Sequence, residues 1–236
     1  MMFLTLALLI LPRRLFMSEM LLNSIISLGT HCLPSDHYRR FFKQEPSSPF
    51  DWMITPIPSL IKILEDDGKQ FGLKITPAMD STSALCVNYG CYYHHEFEKT
   101  SENKIIVTEE ALRACREKLS YKYQKMLSIA RDSQPLFVHW MHSGWHPANP
   151  EKENFIFTAD EVRGLQSLLE EKLQHSNFHI AFITTDENPH QLMNPELLIS
   201  VPNISIRSYS EKSAEEIDLF WNEFYTSYGF TQPKTI

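Results

Sequence analysis

The sequence predicts an α/β fold: one domain on a mainly parallel sheet with flanking helices and a Rossmann-like C-terminal half. Three observations predict it. Roughly the last hundred residues alternate strand-like and helix-like segments, and such alternation implies parallel strands joined by helical crossovers. A short apolar run, Ile25-Ile26-Ser27-Leu28, stops at Gly29 and reads as a buried strand with a tight exit. The 236 residues are 43% apolar and 22% charged, the balance of a folded chain with one sizeable core.

After the first strand, Pro34 and Asp36 open a helix with Tyr38, Phe41 and Phe42 on one side. Gln44 to Pro49 is a turn-rich loop. Thr55-Pro56 suits a second helix start, with Ile57, Leu60, Ile61 and Leu64 at helical spacing and Asp66-Asp67-Gly68 as the stop. Residues 72–107 are the least regular; Leu85-Cys86-Val87 and the run from Cys91 to His95 read as short strands around Asn88-Tyr89-Gly90. Thr108 can cap a long helix from Glu109 to Arg131, with acids in its first turn. Leu136-Phe137-Val138 is a strand. Capping boxes at Thr158–Glu161 and Ser213–Glu216 open two further helices, and strands at Phe178–Ile183 and Ile204–Ile206 lie between them.

The N-terminus stands apart. Met2 to Leu11 is apolar, but Pro12-Arg13-Arg14 follows the run, whereas a signal peptide carries its basic residues first. The run also falls short of the ~20 residues that span a bilayer. Residues 1–20 are therefore expected to be an extension outside the fold, with Met17 or Met20 a sensible start, and residues 21–236 a single domain. A cytoplasmic protein is expected, and export or a weak anchor stays open.

The formal charge of -7 argues against a nucleic-acid surface and against docking on anionic membrane. Four cysteines are too sparse for a disulfide framework, so free thiols are the default; Cys86 and Cys91 could pair across a turn, but no second pair of matching spacing supports an oxidised framework. Only seven glycines occur, scattered and without a Gly-x-Gly-x-x-Gly pattern, and no nucleotide cofactor is expected.

The sharpest local feature is Ser27-Leu28-Gly29-Thr30-His31-Cys32-Leu33-Pro34, a thiol between a strand end and a helix start. Backbone N–H groups and the helix dipole there favour a thiolate and can stabilise an oxyanion. The plainer alternative is a small buried core cysteine. A cysteine nucleophile needs a base, and His94 and His95 end a strand on opposite faces, so at most one can reach Cys32. Asp51, in Ser48-Pro49-Phe50-Asp51-Trp52, either orients a histidine or caps the helix near Pro56. His139, His142 and His146 crowd the end of a strand; they suit a ligand-contacting loop beside Asp186, or a plain loop, and their spacing matches no metal motif.

Ser27-Leu28-Gly29-x-x-Cys32, Pro49-Phe50-Asp51-Trp52 and His95-Glu96-Phe97 together resemble a bacterial family, a domain of unknown function described as papain-like cysteine peptidases. The resemblance runs from about Ile25 to Phe97 and, less specifically, through Tyr121–Val138 to the Trp221 helix. It implies a Cys32 nucleophile and a His95 base, with Asp51 as orienting acid; Asp132 or Asp186 better fits the usual order of such triads. The expected activity is a cysteine-dependent hydrolase acting on a peptide or acyl bond. The alternatives are a glycosyltransferase-like or carbohydrate-associated protein working at the C-terminal strand ends, or a non-catalytic binding module.

Overall fold

The computed structural model describes residues 21–30, 32–43, 48–78, 82–141, 158–185, 201–210 and 213–231. Two four-stranded sheets form the frame. The parallel sheet takes β1 (Ser24–Ser27), β6 (Pro135–Met141), β7 (His179–Thr185) and β8 (Ile204–Tyr209), side by side in chain order. The antiparallel sheet takes β2 (Met53–Ile54), β3 (Ile75–Pro77), β4 (Ala84–Cys86) and β5 (Cys91–Tyr93), in the order β2-β5-β4-β3. The α/β class is thus as expected, but the mainly parallel sheet needs correcting: half the strands belong to a second, antiparallel sheet. Strands of two or three residues are too short to show a period in sequence, and short connections such as 87–90 favour antiparallel pairing.

Among the described residues five helices surround the sheets: α1 (Leu33–Phe42), α2 (Ile57–Glu65), α3 (Glu109–Arg131), α4 (Ala159–Leu173) and α5 (Ala214–Ser227). The central strands are buried on both faces, and their period of two splits them between two cores. Leu136, Val138, Trp140, Ala181 and Ile183 face α1 and α5, meeting Phe41, Trp221, Phe224 and Tyr225. Phe137, Ile180 and Phe182 face the other way, into a core with α2, α3, α4 and the inner face of the antiparallel sheet.

The caps at Thr108 and Thr158 formed as read, and at Ser213 one half of the expected box is made. The Thr108 hydroxyl accepts from Ala111 N, and Thr158 and Glu161 make the reciprocal capping box. Ser213 accepts from Glu216 N at the start of α5. No helix among the described residues is long and apolar enough to cross a membrane. The apolar run at residues 1–20 lies outside the described residues.

Candidate functional site

The site grows from the exit of β1. Gly29 and Thr30 both adopt positive φ, +96° and +80°. Glycine does so freely, and a Cβ at Gly29 would stand 2.9 Å from Thr55 Oγ1. Threonine does not: a β-branched residue at such φ is a true outlier that persists only where its surroundings hold it. Three contacts hold Thr30. Its N–H donates to Met53 O at 3.1 Å, its hydroxyl donates to Thr55 O at 3.0 Å, and the same oxygen lies 3.0 Å from His139 Nε2. His139 Nε2 is also 3.0 Å from Thr55 O. A carbonyl can only accept, so Nε2 carries the ring proton. Burial lowers the His139 pKa to about 4 and keeps the imidazole neutral.

Residues 29 and 30 thereby clamp the parallel sheet to the strand that opens the second sheet, and they deliver the chain to α1. Cys32 is the N-cap of that helix; its carbonyl accepts from Asp36 N at 2.9 Å. It is partly exposed, whereas Cys86, Cys91 and Cys115 are buried. Its pKa is raised. Burial is the largest cause, Asp36 adds to it, and a backbone hydrogen bond opposes both. The expected thiolate therefore gives way to a resting thiol, because desolvation and a first-turn carboxylate outweigh the helix dipole.

The Pro-Phe-Asp-Trp segment is a 3-10 turn, Pro49–Trp52, packed beside this exit. Ser48 ties the two motifs together: its hydroxyl donates to Ser27 O at 2.7 Å and accepts from Phe50 N at 3.1 Å. Asp51 is buried, and its Oδ1 accepts from Ser35 Oγ of α1 at 3.0 Å. Oδ2 has no hydrogen-bond partner and stands beside a cavity of about 10 Å³ that Ser27, Tyr38 and Ser48 help to line. Burial pushes the Asp51 carboxyl up to about 7, with the Ser35 hydrogen bond and the charges of Lys122 and Arg39 acting against it. The carboxyl thus braces α1; among the described residues no histidine hydrogen-bonds to it, and α2 is capped by Pro56 without a side-chain bond.

The histidine pair sits past the end of β5. His94 Nδ1 pairs with Ser83 Oγ at 2.9 Å. His95 is exposed and meets Trp52 edge-on, with ring centroids 5.6 Å apart, and the Arg39 guanidinium lies 5.4 Å over the same indole. Its pKa is lowered, first by desolvation and then by Lys99, against Glu96. So His95 joins the neighbourhood of α1 through Trp52 and stays neutral at pH 7.

Asp132 lies elsewhere. It ends α3 and leads into the start of β6, the opposite edge of the parallel sheet from Cys32. His31, His142, His146 and Asp186 lie outside the described residues. His139 belongs to β6 and to the Thr30 clamp rather than to a loop. No group of three or more histidine, cysteine or acidic side chains that could hold a metal ion occurs among the described residues. Sequence reasoning missed Thr30, Ser35 and Thr55. Ser48 alone had a local signal, as the residue ahead of a proline that starts a turn.

The fold and this site define an α/β protein with a strained strand-to-helix turn that presents a cysteine. Comparison with protein-family models, with curated proteins and with solved structures gives no match.

Proposed function

We propose that this chain is a cysteine-dependent hydrolase acting on an acyl or peptide bond, with Cys32 as nucleophile and His95 as base. One observation carries the reading: the left-handed Gly29-Thr30 turn, costing on the order of 1–3 kcal/mol at the threonine, holds the only partly exposed cysteine at a helix N-cap. The raised thiol pKa requires the proton to leave as the sulfur attacks, which makes a neutral imidazole necessary, and the lowered pKa of His95 keeps that ring unprotonated. In the first half-reaction the sulfur would bond to the carbonyl carbon and the thiol proton would pass by way of imidazole to the leaving group. Water would then release the acyl group, with first-turn N–H groups of α1 facing the oxyanion. Asp51 serves this scheme as a positioning residue, through Ser35 and α1.

The likeness to papain-like cysteine peptidases supports the same reading, and the direct Ser48–Ser27 contact between its two motifs adds to it. We also take the two sheets as one domain with a Rossmann-like C-terminal half, because a single apolar core runs through both. A cytoplasmic location goes with this reading. The decisive experiment pairs turnover of a panel of fluorogenic ester and peptide substrates with alkylation by iodoacetamide. Cys32→Ala should abolish turnover with an unchanged fold, and native protein should alkylate at Cys32 first. Turnover that survives Cys32→Ala would overturn the proposal.

A second reading, a glycosyltransferase-like or carbohydrate-associated protein, draws on the four parallel strands, whose C-terminal ends share one edge. A thermal shift with a sugar nucleotide that persists in Cys32→Ala would favour it.

A further inference from the structure

The β4–β5 hairpin carries two cysteines that the scheme above does not use. Cys86 ends β4, Cys91 begins β5, and the two are direct partners in the antiparallel register. Opposed residues in such a pair point to the same face, with Cα atoms ~4.5–5.5 Å apart, inside the ~4.4–6.8 Å span that a disulfide requires. The burial pattern agrees. Ala84, Cys86, Cys91 and Tyr93 enter the main core, while Leu85 and Tyr92 lie on the other face. The two thiols therefore sit opposite one another in the core, close enough to perturb each other.

That contact makes the sulfurs unequal. Interaction with Cys91 lowers the Cys86 thiol pKa, and burial, aided by Cys86, pushes Cys91 well up. Of the two, Cys86 gives up its proton more readily and Cys91 holds its own. Cys115, from α3, is raised to about 12 by burial and stays a thiol. Both hairpin sulfurs are fully buried, so only a small reagent admitted by opening of the 87–90 turn can reach them. That turn is braced by Gly90 N donating to Cys86 O at 2.7 Å. It also carries Tyr89, whose hydroxyl donates to Asp66 Oδ1 at 2.5 Å and accepts from Gln70 N at 2.8 Å, beside the end of α2.

We propose that Cys86 and Cys91 are a redox site, closing to a reversible disulfide across the hairpin when oxidised by hydrogen peroxide. The Cys86 thiolate attacks one peroxide oxygen, the O–O bond breaks, and hydroxide leaves to become water, giving a sulfenic acid. The Cys91 sulfur then attacks the Cys86 sulfur, the S–O bond breaks, and a second water departs with the Cys91 proton. Two thiols lose two electrons and the peroxide gains them. The bridge locks the Tyr89 turn onto the end of α2.

The test uses the full chain carrying Cys32→Ser, which removes the exposed thiol and separates this outcome from the hydrolase question. The folded protein is treated with hydrogen peroxide, quenched with catalase, alkylated with N-ethylmaleimide in denaturant and mapped without reduction. A linked Cys86–Cys91 peptide, two hydrogens lighter than the dithiol form, with Cys115 fully alkylated and the link reversed by dithiothreitol, is expected. The bridge should survive Cys115→Ser and vanish in Cys86→Ser and Cys91→Ser. A link to Cys115 overturns the proposal. So does full alkylation of all three thiols after peroxide sufficient to oxidise free glutathione.

Discussion

Thr30 shows how a single residue can be shaped by its neighbours rather than by its own preference. Its left-handed backbone is unfavourable for a β-branched side chain, yet its hydroxyl, its N–H and the His139 ring all converge on the Met53–Thr55 segment. Removing the hydroxyl leaves the strain and deletes the hydrogen bonds that hold it. Thr30→Val should lower stability by about 1–3 kcal/mol in a urea titration, and Thr30→Ser, which keeps the oxygen, should stay close to the parent. A loss in Thr30→Ser with none in Thr30→Val would mean that the methyl group, not the hydroxyl, holds the turn. Neither the φ of Thr30 nor its partners could be read along the chain, because His139 stands 109 positions away. Cys32 was legible for the opposite reason: strand end, cysteine and Pro34 lie within one short segment.

At the scale of elements, α1 is fixed from three sides. Ser35 bonds to Asp51, the Tyr225 hydroxyl of α5 donates to Pro34 O at 3.0 Å, and His37 stacks on Trp221 with centroids 5.3 Å apart. The first of these depends on pH. Asp51 keeps its proton up to about 7 in the folded chain, against 3.8 as the ordinary value. Between those values the native state holds a proton that the unfolded chain has lost, so this group's contribution to stability falls as pH rises from about 4 to about 7 and is level beyond. Asp51→Asn keeps the acceptor for Ser35 and removes the titration. It should gain stability relative to the parent at pH 8 over pH 4, by a few kcal/mol at most, in denaturant melts at both pH values. An unchanged difference would place the Asp51 titration near that of a free carboxyl. The long helices and their caps were legible because Thr108, Thr158 and Ser213 each act within four residues of sequence. The strands β2 and β3 were not, since so few residues show no alternation and their pairing comes from partners across the sheet.

The whole molecule carries a larger pH term of opposite sign. His37, His139 and His179 are all buried, and burial is the first cause that lowers each to about 4. As pH falls from 6.5 towards 4, the unfolded chain binds a proton at each while the native state binds none. Of these four groups Asp51 alone acts the other way, so within the set the unfolded chain binds two more protons than the native state, three less one. Thermal midpoints at constant ionic strength should therefore fall between pH 6.5 and 4.5, and a midpoint that holds or rises would contradict the neutral burial of these rings.

By itself, the sequence determined that strands and helices would alternate, where the capped helices begin, and that Cys32 would stand between a strand and a helix. These outcomes rest on periodicity and on bonds made within a turn or two. Only the tertiary structure decided that a second sheet would form, that Asp51 would brace α1 and that His139 would lock Thr30. Those results require groups distant in the chain to be desolvated together, and the energy of a buried polar group depends on what is brought against it.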